Sequence, residues 1–246
     1  MSANIRWNKP SIPPVTKHLI IINAILWIAT MLLGGRDIVD LTKYLGLHFW
    51  KGSDFHFYQF FTYMFMHDSS SFYNGLMHIF FNMFTLFMFG ILLEKVMGMK
   101  RFLLFYIVCG IGAGLVQELV WQFTDGSITE DFVRLVNDNG VIVKTVTRNE
   151  YFNMMVTVGA SGAVFGILLA FAMLFPNIPL YIMFIPIPVK AKYAVIGFAV
   201  IELFFGVSGV MSSVAHFAHL GGMLFGLILL LYWKKKGFFN NYYVNS

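Results

Sequence analysis

Charged residues are scarce in this sequence. Asp, Glu, Lys and Arg make up 12% of the 246 residues, against about 25% in soluble domains, whereas hydrophobic residues make up 58%. Cysteine is nearly absent too, and the single Cys109 excludes a disulfide within the chain. The N-terminus has no short apolar core followed by a cleavage site, so no removable signal peptide is predicted. Together with a mean hydropathy of +0.72, the shortage of charge predicts an integral membrane protein.

The hydrophobic residues fall into six segments, each long enough to span a hydrocarbon core of about 30 Å at about 1.5 Å per residue. This pattern predicts an all-α membrane protein whose six transmembrane helices form one bundle over residues 18–233. A short segment, 1–17, precedes the bundle and a basic tail, 234–246, follows it. The predicted spans are 18–33, 75–97, 102–122, 154–175, 192–209 and 213–233.

Positive charge is unevenly distributed along the chain. If the N-terminus is inside, 11 of the 17 Lys and Arg residues lie on the cytoplasmic side, close to helix ends. The positive-inside rule therefore favours a cytoplasmic location for both termini. The net charge of +5 is attributed to this topology, and no nucleic-acid partner is predicted.

The two long outer loops differ in composition. Residues 34–74 are rich in aromatic side chains, which predicts a segment resting in or on the outer leaflet. Residues 123–153 are more polar, and two β-prone runs flank Asn139-Gly140. These runs predict a hairpin, to which we assign no catalytic role.

Four polar side chains occur at similar places in the predicted spans. Ser161 is the eighth residue of the fourth span and His219 the seventh of the sixth, so both are expected roughly 10 Å below the outer edge. His78 and Asn82 share one face of the second span, because they are four residues apart. A lone membrane serine usually has a packing role, but an ionisable histidine in a span is costly and indicates function.

Glycines surround the serine and follow the histidine. Gly162 and Gly166 are four residues apart, as are Gly222 and Gly226, and this spacing allows two helix backbones to approach closely. Gly159 and Gly162 would leave the backbone beside the serine open to substrate. The glycine pairs therefore predict that the fourth and sixth spans lie within side-chain reach of each other.

Such an approach predicts acyl-transfer chemistry. His219 would take the proton from Ser161, which turns a weak hydroxyl into a nucleophile. A dyad is expected rather than a triad, since no Asp or Glu lies near His219 in the sequence. Candidate donors to the developing oxyanion are His78, Asn82 and the backbone N–H of Ser161.

Several motifs together resemble the rhomboid family of intramembrane serine proteases. The resemblance covers roughly residues 18–233 and implies a six-helix fold, Ser161 as nucleophile, His219 as general base and a membrane-embedded first loop. It implies a mobile fifth helix and cleavage of transmembrane protein substrates within the lipid bilayer, near the outer ends of their helices. The matching motifs are Gly159-Ala160-Ser161-Gly162, "AHLGG" with His219, the pair Gly222 and Gly226, His78 with Asn82, and Gly90, Glu94 and Gly98 in a G-x-x-x-E-x-x-x-G pattern.

Two positions depart from the family pattern. Phe165 stands where many members have a tyrosine that stacks on the histidine, and a phenyl ring can still stack there. Tyr58-Gln59 stands where many members have Trp-Arg, so the contacts by which the arginine fixes the first loop are expected to be absent.

Three acidic residues lie within the predicted spans. Glu94, at the inner end of the second span, is expected to have a structural hydrogen-bonding role. Glu118, near the outer end of the third span, is expected to be in contact with water. Glu202, in the middle of the fifth span, either pairs within the bundle or tunes movement of a gate, and a structural role is favoured.

Histidines could also indicate a metal site. His216, His219 and His78 could converge, because His216 shares a helix face with His219. However, the sequence has no H-E-x-x-H motif and no matching carboxylate or cysteine ligand. Neither a metal nor another cofactor is therefore predicted.

Two other functions compete with the protease interpretation. A non-catalytic member of the same fold could bind transmembrane helices, but such members typically lack the serine or the histidine. A small transporter could use the buried His and Glu residues, but the sequence lacks matching half-repeats with broken helices. The absence of a transit peptide favours a bacterial inner membrane.

Overall fold

The computed structural model describes residues 12–35, 38–137, 139–181, 187–208 and 215–239. Within these ranges the chain forms nine α-helices, a 3₁₀ turn at Tyr63–Phe65 and three pairs of short antiparallel strands. The helices are α1 (Pro14–Gly34), α2 (Leu41–Leu45), α3 (Gln59–Thr62), α4 (Phe72–Met97), α5 (Met99–Thr124), α6 (Arg148–Met154), α7 (Ser161–Leu174), α8 (Ala191–Ser208) and α9 (His216–Lys235). The strands are β1 (Leu47–His48), β2 (Phe132–Val136), β3 (Ile142–Thr147), β4 (Val156–Thr157), β5 (Pro179–Leu180) and β6 (Val189–Lys190), paired β1 with β4, β2 with β3 and β5 with β6.

Five helices among the described residues are long and apolar enough to cross a membrane: α1, α4, α5, α8 and α9. The apolar helix α7 has only 14 residues and lies at the centre, in contact with α4, α5, α8 and α9. The prediction of an all-α membrane protein is therefore confirmed. The predicted segments 1–17 and 234–246 lie partly outside the described residues, and their inner parts belong to α1 and α9.

The predicted start of the fourth span is wrong. Residues 154–160 are largely extended, because Val156–Thr157 pairs with Leu47–His48 of the first loop and Gly159 has a φ of +130°. As a result, Ser161 is the first residue of its helix, and His219 is the fourth residue of α9. Residue counts from the predicted span starts therefore do not give the depths of Ser161 and His219, and the first loop itself covers the start of α7.

One buried side chain makes several hydrogen bonds to the backbone of the first loop. Gln59 is fully buried, and its Oε1 accepts hydrogen bonds from the backbone N–H groups of His48 (3.3 Å) and His56 (3.0 Å). Its Nε2 donates to the carbonyls of Tyr44 (3.3 Å) and Asp54 (2.9 Å). Gln59 thus makes four hydrogen bonds to the loop backbone, although the arginine of the family pattern is absent.

The segment 123–153 contains the predicted hairpin. Strands β2 and β3 pair from Phe132 opposite Thr147 to Val136 opposite Ile142. Gly140 lies in the connection with a φ of +73°, a conformation that favours glycine. Thr147 and Glu150 then form a capping box that begins α6.

The acidic residues of α4 and α5 both bind backbone amides. Glu94 accepts hydrogen bonds from the N–H groups of Val15 and Thr16 and from the Thr16 hydroxyl, at 2.7–2.9 Å, which confirms its structural role. It caps the first turn of α1 in place of a side chain on Pro13. The expectation that Glu118 contacts water is wrong: Glu118 is fully buried, because the first loop lies over it and its carboxylate accepts from the N–H of Trp50.

Candidate active site

Glycines bring the backbones of α7 and α9 together. A Cβ on Gly222 would overlap the carbonyl of Gly162, and a Cβ on Gly226 would lie 3.5 Å from the Cα of Gly166. This is the helix approach that the paired glycines predict. As a result, the first turns of α7 and α9 lie next to each other.

A third helix packs into the same junction, which sequence reasoning missed. Cys109 of α5 lies against Gly166 and Gly226, and Ala113, one turn further along α5, lies against Gly162. Both side chains are fully buried. The glycines of α7 therefore admit two neighbouring helices.

The serine and the histidine face each other across this junction. The Oγ of Ser161 lies 2.8 Å from the Nε2 of His219, a normal hydrogen-bond distance. His219 is buried, and the ring of Phe165 stacks on it with centroids 4.3 Å apart and planes 7° apart. The hydrogen bond and the stacked ring together fix the imidazole against the hydroxyl.

His78 faces the space beside the serine. A Cβ on Gly159 would lie 2.9 Å from the Nε2 of His78 and 3.5 Å from the Oγ of Ser161. The absence of a side chain at Gly159 therefore leaves a gap that borders both atoms. The backbone around this gap is held by a hydrogen bond of 3.0 Å from the N–H of Gly159 to the carbonyl of Tyr63 in the first loop.

Two hydrogen-bond donors are available beside this gap. The Nδ1 of His78 accepts from the backbone N–H of Asp68 (3.2 Å), which assigns the proton of a neutral ring to Nε2, the atom beside Gly159. The N–H of Ser161 is the first of helix α7, where backbone N–H groups have no partner within the helix and the dipole favours negative charge. The gap is thus suited to a developing oxyanion.

Asn82 contacts this site through the backbone of His78. Its side-chain nitrogen donates to the carbonyl of His78 at 2.9 Å, one helical turn away. One of its two N–H donors is therefore engaged by α4 itself. Ser161, His219, His78 and Phe165 therefore contact one another or border the gap, whereas the contact of Asn82 is with the His78 backbone.

A second histidine supports His78 from the first loop. His67 is fully buried, and its ring meets that of His78 edge to face with centroids 5.0 Å apart. Burial, with a smaller contribution from the neighbouring His78, lowers the pKa of His67 to about 3. His67 is thus neutral at pH 7 and adds no charge behind His78.

A carboxylate lies behind His219, which the sequence-based dyad did not include. The Oε2 of Glu202, on α8, lies 2.7 Å from the Nδ1 of His216 and 2.9 Å from the Nδ1 of His219. Glu202 is 17 positions before His219, on a different helix, so no local motif indicated the contact. The cluster considered for a metal in the sequence was His216, His219 and His78. In the structure, Glu202 and not His78 lies with His216 and His219.

The distances in this cluster are those of hydrogen bonds and ion pairs. The candidate ligand atoms of Glu202, His216 and His219 all lie within 4.8 Å of one another. Around a tetrahedral zinc ion with bonds of about 2.0–2.1 Å, ligand atoms would be ~3.3 Å apart. The separations of 2.7 and 2.9 Å are shorter, so direct contact between the side chains accounts for the cluster.

Two comparisons with known proteins both match rhomboid proteins. A family model described as "Rhomboid domain" matches residues 54–236. The chain is also 29% identical over 162 residues to "Rhomboid protease AarA" of Providencia stuartii, an alignment that covers 62% of this chain and 49% of that protein. The chain thus spans about half the length of this curated relative. The range matched by the family model contains every side chain of the candidate active site.

Proposed function

Because the chain belongs to the rhomboid family, we propose that it is a serine endopeptidase that hydrolyses peptide bonds in or near the transmembrane helices of membrane-protein substrates. The observation that carries this proposal is the 2.8 Å contact between Ser161 Oγ and His219 Nε2, at the start of a helix and beside an open gap. A serine placed only for packing needs neither a histidine acceptor nor a vacant space with N–H donors.

Each group in the site has a place in acyl transfer. The Oγ of Ser161 attacks the scissile carbonyl carbon while its proton passes to the Nε2 of His219. The carbonyl oxygen becomes an oxyanion in the gap at Gly159, where His78 Nε2–H and the Ser161 N–H donate to it, with Asn82 as a further candidate donor.

Collapse of the tetrahedral intermediate completes the first half of the reaction. The C–N bond breaks, the proton held by His219 passes to the leaving amine nitrogen, and the acyl group remains on Ser161 as an ester. Water then attacks this ester and gives its proton to His219. The Ser161 oxygen leaves and regains that proton, so the enzyme is restored.

The proposed topology has six spans, with α7 as the fourth and with both termini in the cytoplasm. At about 1.5 Å per residue, the 14 residues of α7 extend for roughly 21 Å, less than the roughly 30 Å of a hydrocarbon core. The start of α7 would then lie below the outer surface, where water enters beneath the first loop. A bacterial inner membrane is the proposed location, in keeping with the bacterial relative.

The decisive test is the variant Ser161→Ala, purified, reconstituted in lipid vesicles and assayed with a model single-span substrate. Cleavage is expected to fall to background, because no other group in the site replaces the nucleophile. The variant Thr85→Ala is the matched control, because it removes a helix hydroxyl that bonds to the Phe81 carbonyl, outside the site. Undiminished cleavage by Ser161→Ala would refute the mechanism. Wild-type protein that binds such helices without cleaving them would indicate a non-catalytic member of the family.

A further inference from the structure

We infer that Glu202 is a positioning residue for His219, so that the site works as a Ser161–His219–Glu202 triad with His216 as a second anchor of the carboxylate. This inference rests on the proposed protease function, and it concerns a residue outside the two-residue mechanism. The three members come from three helices: Ser161 from α7, His219 from α9 and Glu202 from α8.

The contacts of Glu202 place its charge behind the imidazole. One oxygen, Oε2, lies 2.7 Å from His216 Nδ1 and 2.9 Å from His219 Nδ1. The side chains concerned are largely buried, with 13% of Glu202, 6% of His216 and 10% of His219 exposed. In such surroundings a carboxylate interacts strongly with a nearby ring N–H, because little water screens it.

The position of the carboxylate selects a tautomer of His219. An ionised carboxylate oxygen only accepts hydrogen bonds, so a ring nitrogen 2.9 Å from it is stable as N–H and not as a lone pair. With the proton on Nδ1, the Nε2 of the neutral ring carries the lone pair. Nε2 is the atom 2.8 Å from the Ser161 hydroxyl, so Glu202 favours the form of His219 that can accept the serine proton.

The same carboxylate also stabilises the ring after proton transfer. When His219 holds the proton from Ser161 it becomes an imidazolium, whose positive charge lies next to Glu202 Oε2. This charge appears only during the reaction, so the contact favours the transition state over the resting enzyme.

His216 holds the carboxylate in place. Its Nδ1 hydrogen bond to Glu202 Oε2, at 2.7 Å, is well aligned, whereas the Nδ1 of His219 has no aligned hydrogen-bond partner among the described residues despite the 2.9 Å contact. Glu202 is therefore fixed by its contact with His216 and acts on His219 chiefly through its charge. The effect should be smaller than the ~10⁴-fold loss of kcat known when an aligned triad carboxylate is neutralised.

The test compares Glu202→Gln and Glu202→Asp with wild-type protein in reconstituted vesicles. Glu202→Gln is expected to lower kcat by about 10- to 100-fold with KM changed less than about twofold, because it removes the charge and leaves the substrate-binding surface intact. Glu202→Asp keeps the charge and should recover a substantial part of the loss. The matched control is Glu118→Gln, which replaces a buried carboxyl group on α5 and should keep kcat within about twofold.

A second measurement needs no variant of Glu202. In wild-type protein with ¹⁵N-labelled histidine, assigned by comparison with His219→Gln, nuclear magnetic resonance at neutral pH should show His219 with its proton on Nδ1. A ring that carries its proton on Nε2 would overturn the inference, even if Glu202→Gln failed to fold.

The outcomes separate this inference from the proposed function. If Ser161→Ala abolishes cleavage but Glu202→Gln retains wild-type kcat, the protease mechanism stands and the triad is wrong. If Glu202→Gln and Glu202→Asp lose the same activity, geometry rather than charge decides, and the triad is also wrong. If activity requires an added metal ion and disappears with a chelator, the cluster is a metal site instead.

Discussion

At the scale of single residues, Phe165 is the group whose contact with His219 can be changed most cleanly. Its ring stacks face to face on the imidazole at 4.3 Å. Phe165→Ala should lower kcat by about tenfold, because the ring no longer holds His219 in line with Ser161. Phe165→Tyr keeps the stacked ring and should retain activity within about threefold. Steady-state cleavage in vesicles measures both variants.

Equal activity of Phe165→Ala and wild-type protein would show that other contacts suffice to orient His219. Thermal unfolding of both variants serves as the control, because a loss of kcat at unchanged midpoint temperature separates orientation from folding.

Some residues of the site could be predicted because they are polar side chains within apolar segments. Ser161, His219 and His78 stood out because polar groups are expensive inside a membrane. Glu202 carries the same signal, but its partner lies on another helix, and no spacing rule relates positions on α8 to positions on α9. The role of Gln59 was equally hidden, since a neutral amide gives no indication of four backbone contacts.

At the scale of helices, Gly222 tests the contact between α7 and α9. A Cβ at this position would overlap the carbonyl of Gly162, a backbone atom that cannot move aside. Gly222→Ala should therefore destabilise the protein by about 1–3 kcal/mol and reduce cleavage, as expected for overpacking. The midpoint of thermal unfolding in detergent measures the change in stability.

The control for this prediction is Gly197→Ala on α8, where a Cβ would meet no atom within 4 Å. This variant should be neutral or more stable by up to ~1 kcal/mol, because alanine favours the helix. If Gly222→Ala is as stable as Gly197→Ala, the two backbones do not pack as closely as the structure indicates.

The helices themselves were largely predictable from hydrophobic length, but the start of α7 was not. Residues 154–160 are apolar enough to extend a helix. Their backbone instead pairs with β1, which lies about a hundred residues earlier in the chain. Local periodicity carries no information about such a distant partner.

At the scale of the whole molecule, the proposed topology can be tested with single cysteines. Glu130→Cys places an exposed thiol in the outer loop, and Lys236→Cys places one after α9. In sealed right-side-out vesicles, a membrane-impermeant maleimide should label Glu130→Cys at once and Lys236→Cys only after permeabilisation. The expectation follows from the excess of Lys and Arg next to the proposed inner helix ends.

The native thiol provides the internal control, since Cys109 is fully buried and should stay unlabelled in the folded protein. Labelling of both engineered thiols from the same side would refute the six-span arrangement.

Helices α7 and α8 differ in how much of their surface is exposed and should therefore respond differently to the surrounding membrane. Helix α7 is enclosed by other helices, so the bilayer does not determine its length or its tilt. Helix α8 leaves most of the surface of its described residues exposed, so its position depends more on the surrounding lipid. A thicker or thinner bilayer is therefore expected to act first on α8, the helix whose Glu202 contacts His219. If the proposed triad is correct, cleavage should therefore vary with the chain length of the surrounding lipid.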